Sequence, residues 1–357
     1  TWIAFALVGA AAAVVTFFTP MNAIRNGIWS LYFILLILEV IRLERKSPTR
    51  TEGGMRPLLV GMTVLQVAIV LQMLVVAGII PWGFPWGNVY YVGLIALAIG
   101  SSLFTVNTFA LTRRRLERNE GEIESARKLQ EAMLPKELPA VEGIDVAAWL
   151  STASEVGGDY YDFHEPPDGG LLVVIGDAAG HGLAAGAMVT AIKALFGGVR
   201  GDEELAEFLT RTDAVLRRMD LRLLHMCLSL VRVTGSTIEV CSAAMPPALI
   251  RRASTGAVEE LGTGGLPLGG RLRGSWESQR AELLPGDTVL LASDGLAELL
   301  DPMGEPFGFE EVGVMLGRVG EGSAQKTLDR ITTEAATWQA GAPQADDITL
   351  VVLAVRP

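Results

Sequence analysis

Residues Leu171–Gly182 read LLVVIGDAAGHG and place an aspartate, Asp177, directly after a run of apolar residues. A second stretch of the same kind, Pro285–Glu298, reads PGDTVLLASDGLAE and places Asp294 after another apolar run. Short runs rich in valine, leucine and isoleucine are typical of buried strands. Asp177 and Asp294 are therefore expected at the ends of two strands in the interior of a domain.

Two further aspartate motifs occur in the same part of the chain. Val156–Phe163 reads VGGDYYDF and contains Asp159, and Asp346 and Asp347 directly precede the apolar run Ile348–Val355. A carboxylate at the end of a buried strand is costly unless it is paired or bound to a cation. Taken singly, each Asp-Gly pair is also compatible with a turn. Because no predicted strand carries an arginine or lysine spaced to neutralise these groups, four such motifs together favour an oxygen-ligated Mg²⁺ or Mn²⁺ site.

The chain after residue 139 shows a mixed α and β pattern. Residues 226–233 and 237–242 are predicted to form a hairpin across 234–236. The other predicted strands are Leu171–Ile175, Thr288–Ala292 and Ile348–Val355, and the predicted helices are Leu183–Phe196, Glu203–Met219 and Ala324–Trp338.

The composition excludes several classes of protein and site. The chain has 357 residues, which suggests two or three units, and its net charge of −11 argues against a nucleic-acid partner. Two cysteines, Cys227 and Cys241, cannot form a disulfide framework or a structural zinc site, and both fall in the predicted hairpin as core residues. The three histidines, at positions 164, 181 and 225, match no spaced metal motif.

The first third of the chain contains four apolar runs, namely Trp2–Phe18, Ile28–Ile41, Leu58–Ile80 and Val89–Leu111. The last two reach the roughly 20 residues that a bilayer requires. We interpret residues 1–111 as an all-α membrane region of four transmembrane helices, rather than as buried helices of a large soluble protein. The first run lacks an initiator methionine and a basic segment, which favours a fragment of a longer protein over a signal peptide.

Basic residues predict the orientation of these helices. Five lysines and arginines lie between the second and third runs, and three arginines, residues 113–115, follow the fourth. The other two connections carry one arginine between them. By the positive-inside rule the arginine-rich segments face the cytoplasm. The C-terminal domain is then expected on the cytoplasmic side of the membrane.

Residues 112–134 are polar and free of proline, and they predict a helical linker. A weak heptad pattern runs through this segment, with Leu116, Asn119, Ile123, Ala126, Gln130 and Met133 in its seam. The pattern indicates either a homodimer formed through the linker helix or a solvated helical spacer.

Together the motifs resemble the protein phosphatase 2C (PP2C) superfamily, and more closely its sporulation-protein-E-like, stress-response regulator type branch. VGGDYYDF, IGDAAGHG, PGDTVLLASDGLAE and DDIT occur in the order seen there. Leu129–Pro139 (LQEAMLPKELP) is similar to the opening segment of that branch, and Leu266–Gly269 (LPLG) and Phe307-Gly308 also fit. The resemblance covers roughly Leu129–Val355. It implies an α+β fold, an α-β-β-α sandwich, for the phosphatase domain at 135–357.

The resemblance also implies a centre of two Mn²⁺ or Mg²⁺ ions. The implied metal ligands are Asp159, Asp177, the carbonyl of Ala178, Asp294 and Asp346, with Asp347 as the alternative to Asp346. Asp177 would bridge the ions, and Asp177 and Asp294 would be the catalytic residues. Two cations that activate water and clamp the phosphoryl group make a phospho-enzyme unnecessary.

The sequence departs from the family pattern at two places. Ala179 stands where the wider superfamily often has a histidine, and His181, two residues on, is not expected to act as a general acid. Residues 243–247 read AAMPP where relatives often read AGHPP, which affects substrate contacts rather than metal ligands. Asp162 is expected outside the ligand set, as a supporting or surface residue.

The resulting prediction is a membrane-anchored serine/threonine phosphoprotein phosphatase. The resemblance suggests that its substrate is a phosphorylated anti-sigma-factor antagonist. A catalytically inactive receptor scaffold and a small-molecule phosphoesterase are the alternatives. The presence of all the expected aspartates counts against the first, and no glycine-rich nucleotide loop or basic stripe supports the second.

Overall fold

The computed structural model of the chain describes residues 42, 55–76, 79–81, 89–153, 156–167, 169–180, 182–219, 224–262, 264–320 and 322–356. It consists of two compact units, Thr1–Asn119 and Glu120–Pro357. The predicted spans Trp2–Phe18 and Ile28–Ile41 lie outside the described residues.

The first unit contains helix α1 (Arg56–Val76) and most of helix α2 (Val89–Met133). Both helices are long and apolar enough to cross a membrane. Small residues let them approach closely, since a Cβ placed on Gly61 would lie 2.7 Å from the carbonyl oxygen of Ala96. The described residues thus contain helices at the third and fourth predicted spans.

The second unit is built on two antiparallel five-stranded sheets. The first sheet has the order β1-β10-β9-β6-β7 and the second the order β2-β3-β4-β5-β8. The strands are β1 (Ile144–Ser151), β2 (Asp159–His164), β3 (Leu171–Ala178), β4 (Met226–Thr234), β5 (Thr237–Ala243), β6 (Ala248–Arg251), β7 (Val258–Leu261), β8 (Gln279–Glu282), β9 (Thr288–Ala292) and β10 (Ile348–Val355).

Helices cover the outer face of each sheet. Helices α3 (Leu183–Phe196) and α4 (Leu205–Arg218) pack on the second sheet, and α5 (Phe309–Arg318) and α6 (Ala324–Gln339) pack on the first. Successive side chains of β3 point alternately into two hydrophobic cores. Val173 faces the other sheet, whereas Leu172 and Val174 face the helices. The predicted α-β-β-α sandwich is confirmed.

Most of the predicted elements are present, and several others were missed. Strands β9 and β10 and helix α3 have the predicted bounds, and the hairpin and the other two helices differ by one or two residues at their ends. Strand β1 was missed because its sequence, IDVAAWLS, includes an aspartate and two alanines. Strands β6, β7 and β8 have only four residues each, too few for a periodic pattern. Helix α5 was also not predicted.

Candidate active site

The strand pairing brings the four aspartate motifs to one edge of the sandwich. Asp159 at the start of β2 pairs with Asp177 at the end of β3. In the other sheet, the end of β9 pairs with the start of β10, so Asp294 lies beside the Asp346-Asp347 turn. Antiparallel pairing places the end of one strand beside the start of the next, which is why residues far apart in sequence meet here.

Asp177 lies among other acids. Burial, and after it the charges of Asp294, Asp346, Asp347 and Glu298 in that order, together raise the pKa of Asp177 to about 7. No lysine or arginine among the described residues forms an ion pair with Asp177. Its carboxylate therefore lies in a field of like charge that a bound cation would relieve.

The pKa of Asp294 is also raised, first by burial and then by the charge of Asp346. Glu298 shows the same pattern, with burial, Asp294 and Asp346 raising its pKa. Glu298 ends the motif PGDTVLLASDGLAE, and no role was predicted for it. Glu298 lies four residues after Asp294, and its N–H donates to the Asp294 carbonyl at 2.9 Å. This four-residue spacing was the sequence signal that could have identified Glu298.

Two hydroxyl groups donate hydrogen bonds to the carboxylate of Asp159. It is 2% exposed, and one of its carboxylate oxygens accepts hydrogen bonds from Ser293 Oγ at 2.8 Å and Thr349 Oγ1 at 2.6 Å. Burial raises the pKa of Asp159 well above its ordinary value, and the two hydroxyl bonds lower it in part. Thr349 lies in β10 and Ser293 directly follows β9, whereas Asp159 begins β2, so these bonds join the two sheets at the site. Neither hydroxyl residue was predicted, although Ser293 and Thr349 each lie within an aspartate motif.

The structure distinguishes the two aspartates that precede β10. The Asp347 carboxylate is buried, and it accepts the backbone N–H groups of Ala153 at 2.7 Å and Gly158 at 2.6 Å. The Asp346 side chain is exposed, and its charge acts on Asp177, Asp294 and Glu298. Asp346 thus faces the acidic cluster, whereas Asp347 fastens the loop that leads to β2.

Two glycines allow the backbone to approach the aspartates. A Cβ on Gly158 would lie 2.6 Å from the carbonyl oxygen of Ala178 and 2.9 Å from Asp177 Oδ1. A Cβ on Gly157 would overlap the Asp347 carboxylate. The Gly-Gly pair in VGGDYYDF therefore leaves room for backbone and carboxylate oxygens to share this space.

Asp162 and Cys241, which were considered in the sequence, lie apart from this cluster, whereas Cys227 is the strand partner of Asp177. Asp162 is buried, where it accepts a hydrogen bond from Tyr160 at 2.7 Å and pairs with Lys193 Nζ at 2.6 Å, tying β2 to α3. Cys241 is buried in the core and Cys227 is half-buried. His181 lies outside the described residues.

The donor set suits a hard divalent cation, because it consists of carboxylate and carbonyl oxygens. Within the described ranges, no three histidine, cysteine, aspartate or glutamate side chains form a group that could hold a metal ion as they stand. The acids are nevertheless close enough for their charges to raise the pKa values of Asp177 and Asp294.

Comparisons with known proteins agree with the fold. The family model described as Stage II sporulation protein E (SpoIIE) matches residues 167–356, more than half of the chain. The PP2C domain of SiaA from Pseudomonas aeruginosa is similar at 25% identity and a TM-score of 0.59, over 67% of this chain and 98% of that one.

Two further solved structures are similar over shorter parts of their length. The RsbU and RsbW domains of Rv1364c from Mycobacterium tuberculosis match at 25% identity and a TM-score of 0.53, over 63% of each chain. The PP2C phosphatase domain of SpoIIE from Bacillus subtilis, with a fragment of its regulatory domain, matches in fold at 20% identity and a TM-score of 0.52. That match covers 61% of this chain and 64% of the other, so the chain spans less than two thirds of both structures. From the family match, the two-sheet sandwich and the aspartate motifs at its edge, we conclude that the chain belongs to the SpoIIE family of PP2C-type serine/threonine phosphatases.

Proposed function

We propose that the protein is a membrane-anchored phosphatase that removes phosphate from serine or threonine of a bacterial signalling protein, using two Mn²⁺ or Mg²⁺ ions. The observation that carries this proposal is the carboxylate cluster around Asp177, with a pKa raised to about 7 and no paired cation among the described residues. Such a cluster at the edge of a PP2C-type sandwich is suited to metal-dependent hydrolysis rather than to a purely structural role.

In this proposal the Asp177 carboxylate and the carbonyl of Ala178 would hold the two ions together with the carboxylates of Asp159, Asp294 and Asp346. When bound, the ions supply Lewis acidity and neutralise charge during in-line attack of water on phosphorus. Asp347 is left out of the ligand set, because backbone N–H groups already occupy both of its oxygens.

The chain's own residues orient these ligands. Ser293 and Thr349 hold one oxygen of Asp159, which fixes the orientation of this carboxylate. The cysteines take no part in the chemistry, since burial raises the pKa of Cys227 to about 12 and that of Cys241 to about 11. A thiol with such a pKa stays protonated at neutral pH and is a poor nucleophile.

The wider organisation belongs to the same proposal. Residues 1–111 form a multi-pass region in the bacterial cell membrane, 112–134 form a helical linker that pairs in a homodimer, and 135–357 form the cytoplasmic phosphatase domain. Two helices of suitable length and composition and the arginine-rich segments support the membrane anchor. The resemblance to RsbU-type domains supports a phosphorylated anti-sigma-factor antagonist as the substrate.

The substrate class is tested with the full chain in detergent and saturating Mn²⁺. Phosphate release would be measured from a phosphoserine-containing anti-sigma-factor antagonist, from p-nitrophenyl phosphate and from nucleotides. We expect kcat/KM to be highest for the phosphoprotein. A preference for nucleotides would show a small-molecule phosphoesterase, and no Mn²⁺-dependent release from any substrate would show an inactive scaffold.

A further inference from the structure

The last turns of α2 contact the active-site loop through one side chain. The Gln130 amide donates from Nε2 to the carbonyl oxygen of Gly157 at 2.7 Å and accepts the Gly157 N–H on Oε1 at 3.0 Å. One side chain thus satisfies both backbone groups of Gly157, as the neighbouring residue in an antiparallel strand pair would. Gly157 is buried, so these two groups would otherwise lack partners away from water.

The next residue carries this contact into the acidic cluster. The Gly158 N–H donates to Asp347 Oδ2 at 2.6 Å, and the Gly158 carbonyl accepts the Ala178 N–H at 3.0 Å. Asp159 follows directly as the first residue of β2. Three neighbouring residues therefore connect Gln130 to Asp347, to the Asp177-Ala178 turn and to Asp159.

The loop has little room to shift without disturbing these groups. Even a methyl group on Gly157 would overlap the Asp347 carboxylate, and one on Gly158 would press against Ala178 and Asp177. The Asp347 carboxylate and the Asp177-Ala178 turn thus lie against this loop, and the Gln130 amide restrains Gly157 from α2. Loss of both amide bonds would leave a buried N–H and a buried C=O unpaired, which favours movement of the loop.

We propose that Gln130 is a positioning residue for the metal centre. Its amide fixes Gly157, and through Gly158 it sets the spacing between the Asp159 and Asp177 carboxylates. This inference rests on the proposed metal-dependent function and adds the side chain through which the helix preceding the domain acts on the site. Outer residues of this kind change metal affinity or activity by about 10–100-fold when they are replaced.

The test compares the full-length chain with Gln130→Met, which keeps the length of the side chain and removes both hydrogen bonds. Gln325→Met is the matched control, because Gln325 is exposed on α6 and bonds only across one helical turn to Asp329. Two quantities are measured, namely amide hydrogen exchange at residues 157–159 in metal-free protein and the Mn²⁺ concentration that gives half-maximal phosphate release.

We expect Gln130→Met to speed exchange at residues 157–159 and to raise the half-activating Mn²⁺ concentration about 10-fold or more. Most of kcat should return at saturating Mn²⁺, and Gln325→Met should match the wild type in every measurement. If Gln130→Met does not fold, Gln130→Glu takes its place, since a carboxylate cannot donate to the Gly157 carbonyl. Wild-type exchange and Mn²⁺ requirement in a folded Gln130 variant would overturn the inference while leaving the proposed function intact. A wild-type chain that Mn²⁺ does not activate would overturn the proposed function itself.

Discussion

Asp177 is the residue at which burial and like charge act together. Burial and four neighbouring acids raise its pKa to about 7, from an ordinary value of 3.8. In metal-free protein the folded state therefore binds a proton more tightly than the unfolded state does. Stability from this group is present at low pH and is lost as the pH rises from about 4 through about 7. The site is consequently a source of instability at pH 8 that a bound cation would remove.

We therefore predict that Asp177→Asn raises the Tm of metal-free protein at pH 8. Each kcal/mol recovered should add roughly 2–4 °C for a domain of this size. The difference from wild type should narrow toward pH 5, where the folded wild-type carboxyl is protonated. Thermal unfolding of the full chain with excess chelator measures this, with Asp329→Asn on the exposed face of α6 as the control. A lower Tm for Asp177→Asn at pH 8 would contradict the assigned charge repulsion.

The cysteines provide a second test at the scale of single residues. Burial holds the pKa of Cys227 at about 12 and that of Cys241 at about 11, so neither thiol forms much thiolate at pH 8. We predict that iodoacetamide leaves Mn²⁺-dependent phosphate release unchanged in the folded protein. Inactivation that follows the labelling of either cysteine would point to a thiol-based mechanism.

The residues that carry charge were easier to predict than those that support them. Asp159, Asp177, Asp294 and Asp346 stand out because an acid at the end of an apolar run is unusual. Ser293, Thr349 and Gln130 carry no such signal, because hydroxyl and amide side chains are common at turns and on helices. Their roles depend on the registers of β2 with β3 and of β9 with β10, which spacing alone does not reveal.

At the scale of elements, α2 contains both the fourth predicted span and the linker within its bounds of Val89–Met133. The heptad seam is not uniformly exposed in the single chain. Leu116 is 57% exposed and free to pair, whereas Ile123, Ala126 and Gln130 are half-buried. The last part of the seam therefore already contacts the phosphatase domain, through the hydrogen bonds between Gln130 and Gly157. Pairing with a second copy is better suited to the part before Gly121.

This division predicts how insertions in the linker behave. Three or four residues added after Glu120 should rotate the helix on one side of the insertion relative to the other, leaving the Gln130 contact in place. We expect phosphatase activity in membranes to change by roughly 5–150-fold, the usual range of coupling between sites. A seven-residue insertion restores the heptad register and most of the original activity. Equal activity at every insertion length would show that the linker is a passive tether.

The sequence pattern predicted the bounds of a strand well where nearly every residue of that strand is buried. Strand β10 is apolar almost throughout and lies between two neighbours in the first sheet, so its bounds were clear. Strand β1 lies at the edge of that sheet and includes Asp145, which accepts the N–H of Ala324 at the start of α6 at 2.8 Å. That tertiary contact explains the aspartate, and no local pattern could have predicted it.

At the scale of the whole molecule, the chain combines apolar helices with a PP2C-type domain. The orientation rests on the arginine-rich segments, which would place that domain in the cytoplasm. We predict that a membrane-impermeant thiol reagent labels a cysteine placed at Gly83 in intact cells, and does not label one at Thr51 or Gly121. A chain without the added cysteine measures the background from the native thiols, of which Cys241 is buried and Cys227 is half-buried. Labelling at Thr51 would reverse the orientation and separate the enzyme from a cytoplasmic substrate.

The central claim is that the aspartates at the sandwich edge hold the ions that drive phosphate release. The most direct test is a Mn²⁺ titration of phosphate release by the full chain, alongside Asp177→Asn, Asp294→Asn and the control Asp329→Asn, with folding verified by thermal unfolding. We expect activity that depends on Mn²⁺ in wild type and control, and a loss of at least about 100-fold in both site variants at saturating metal. Near-normal activity in either folded site variant would contradict it.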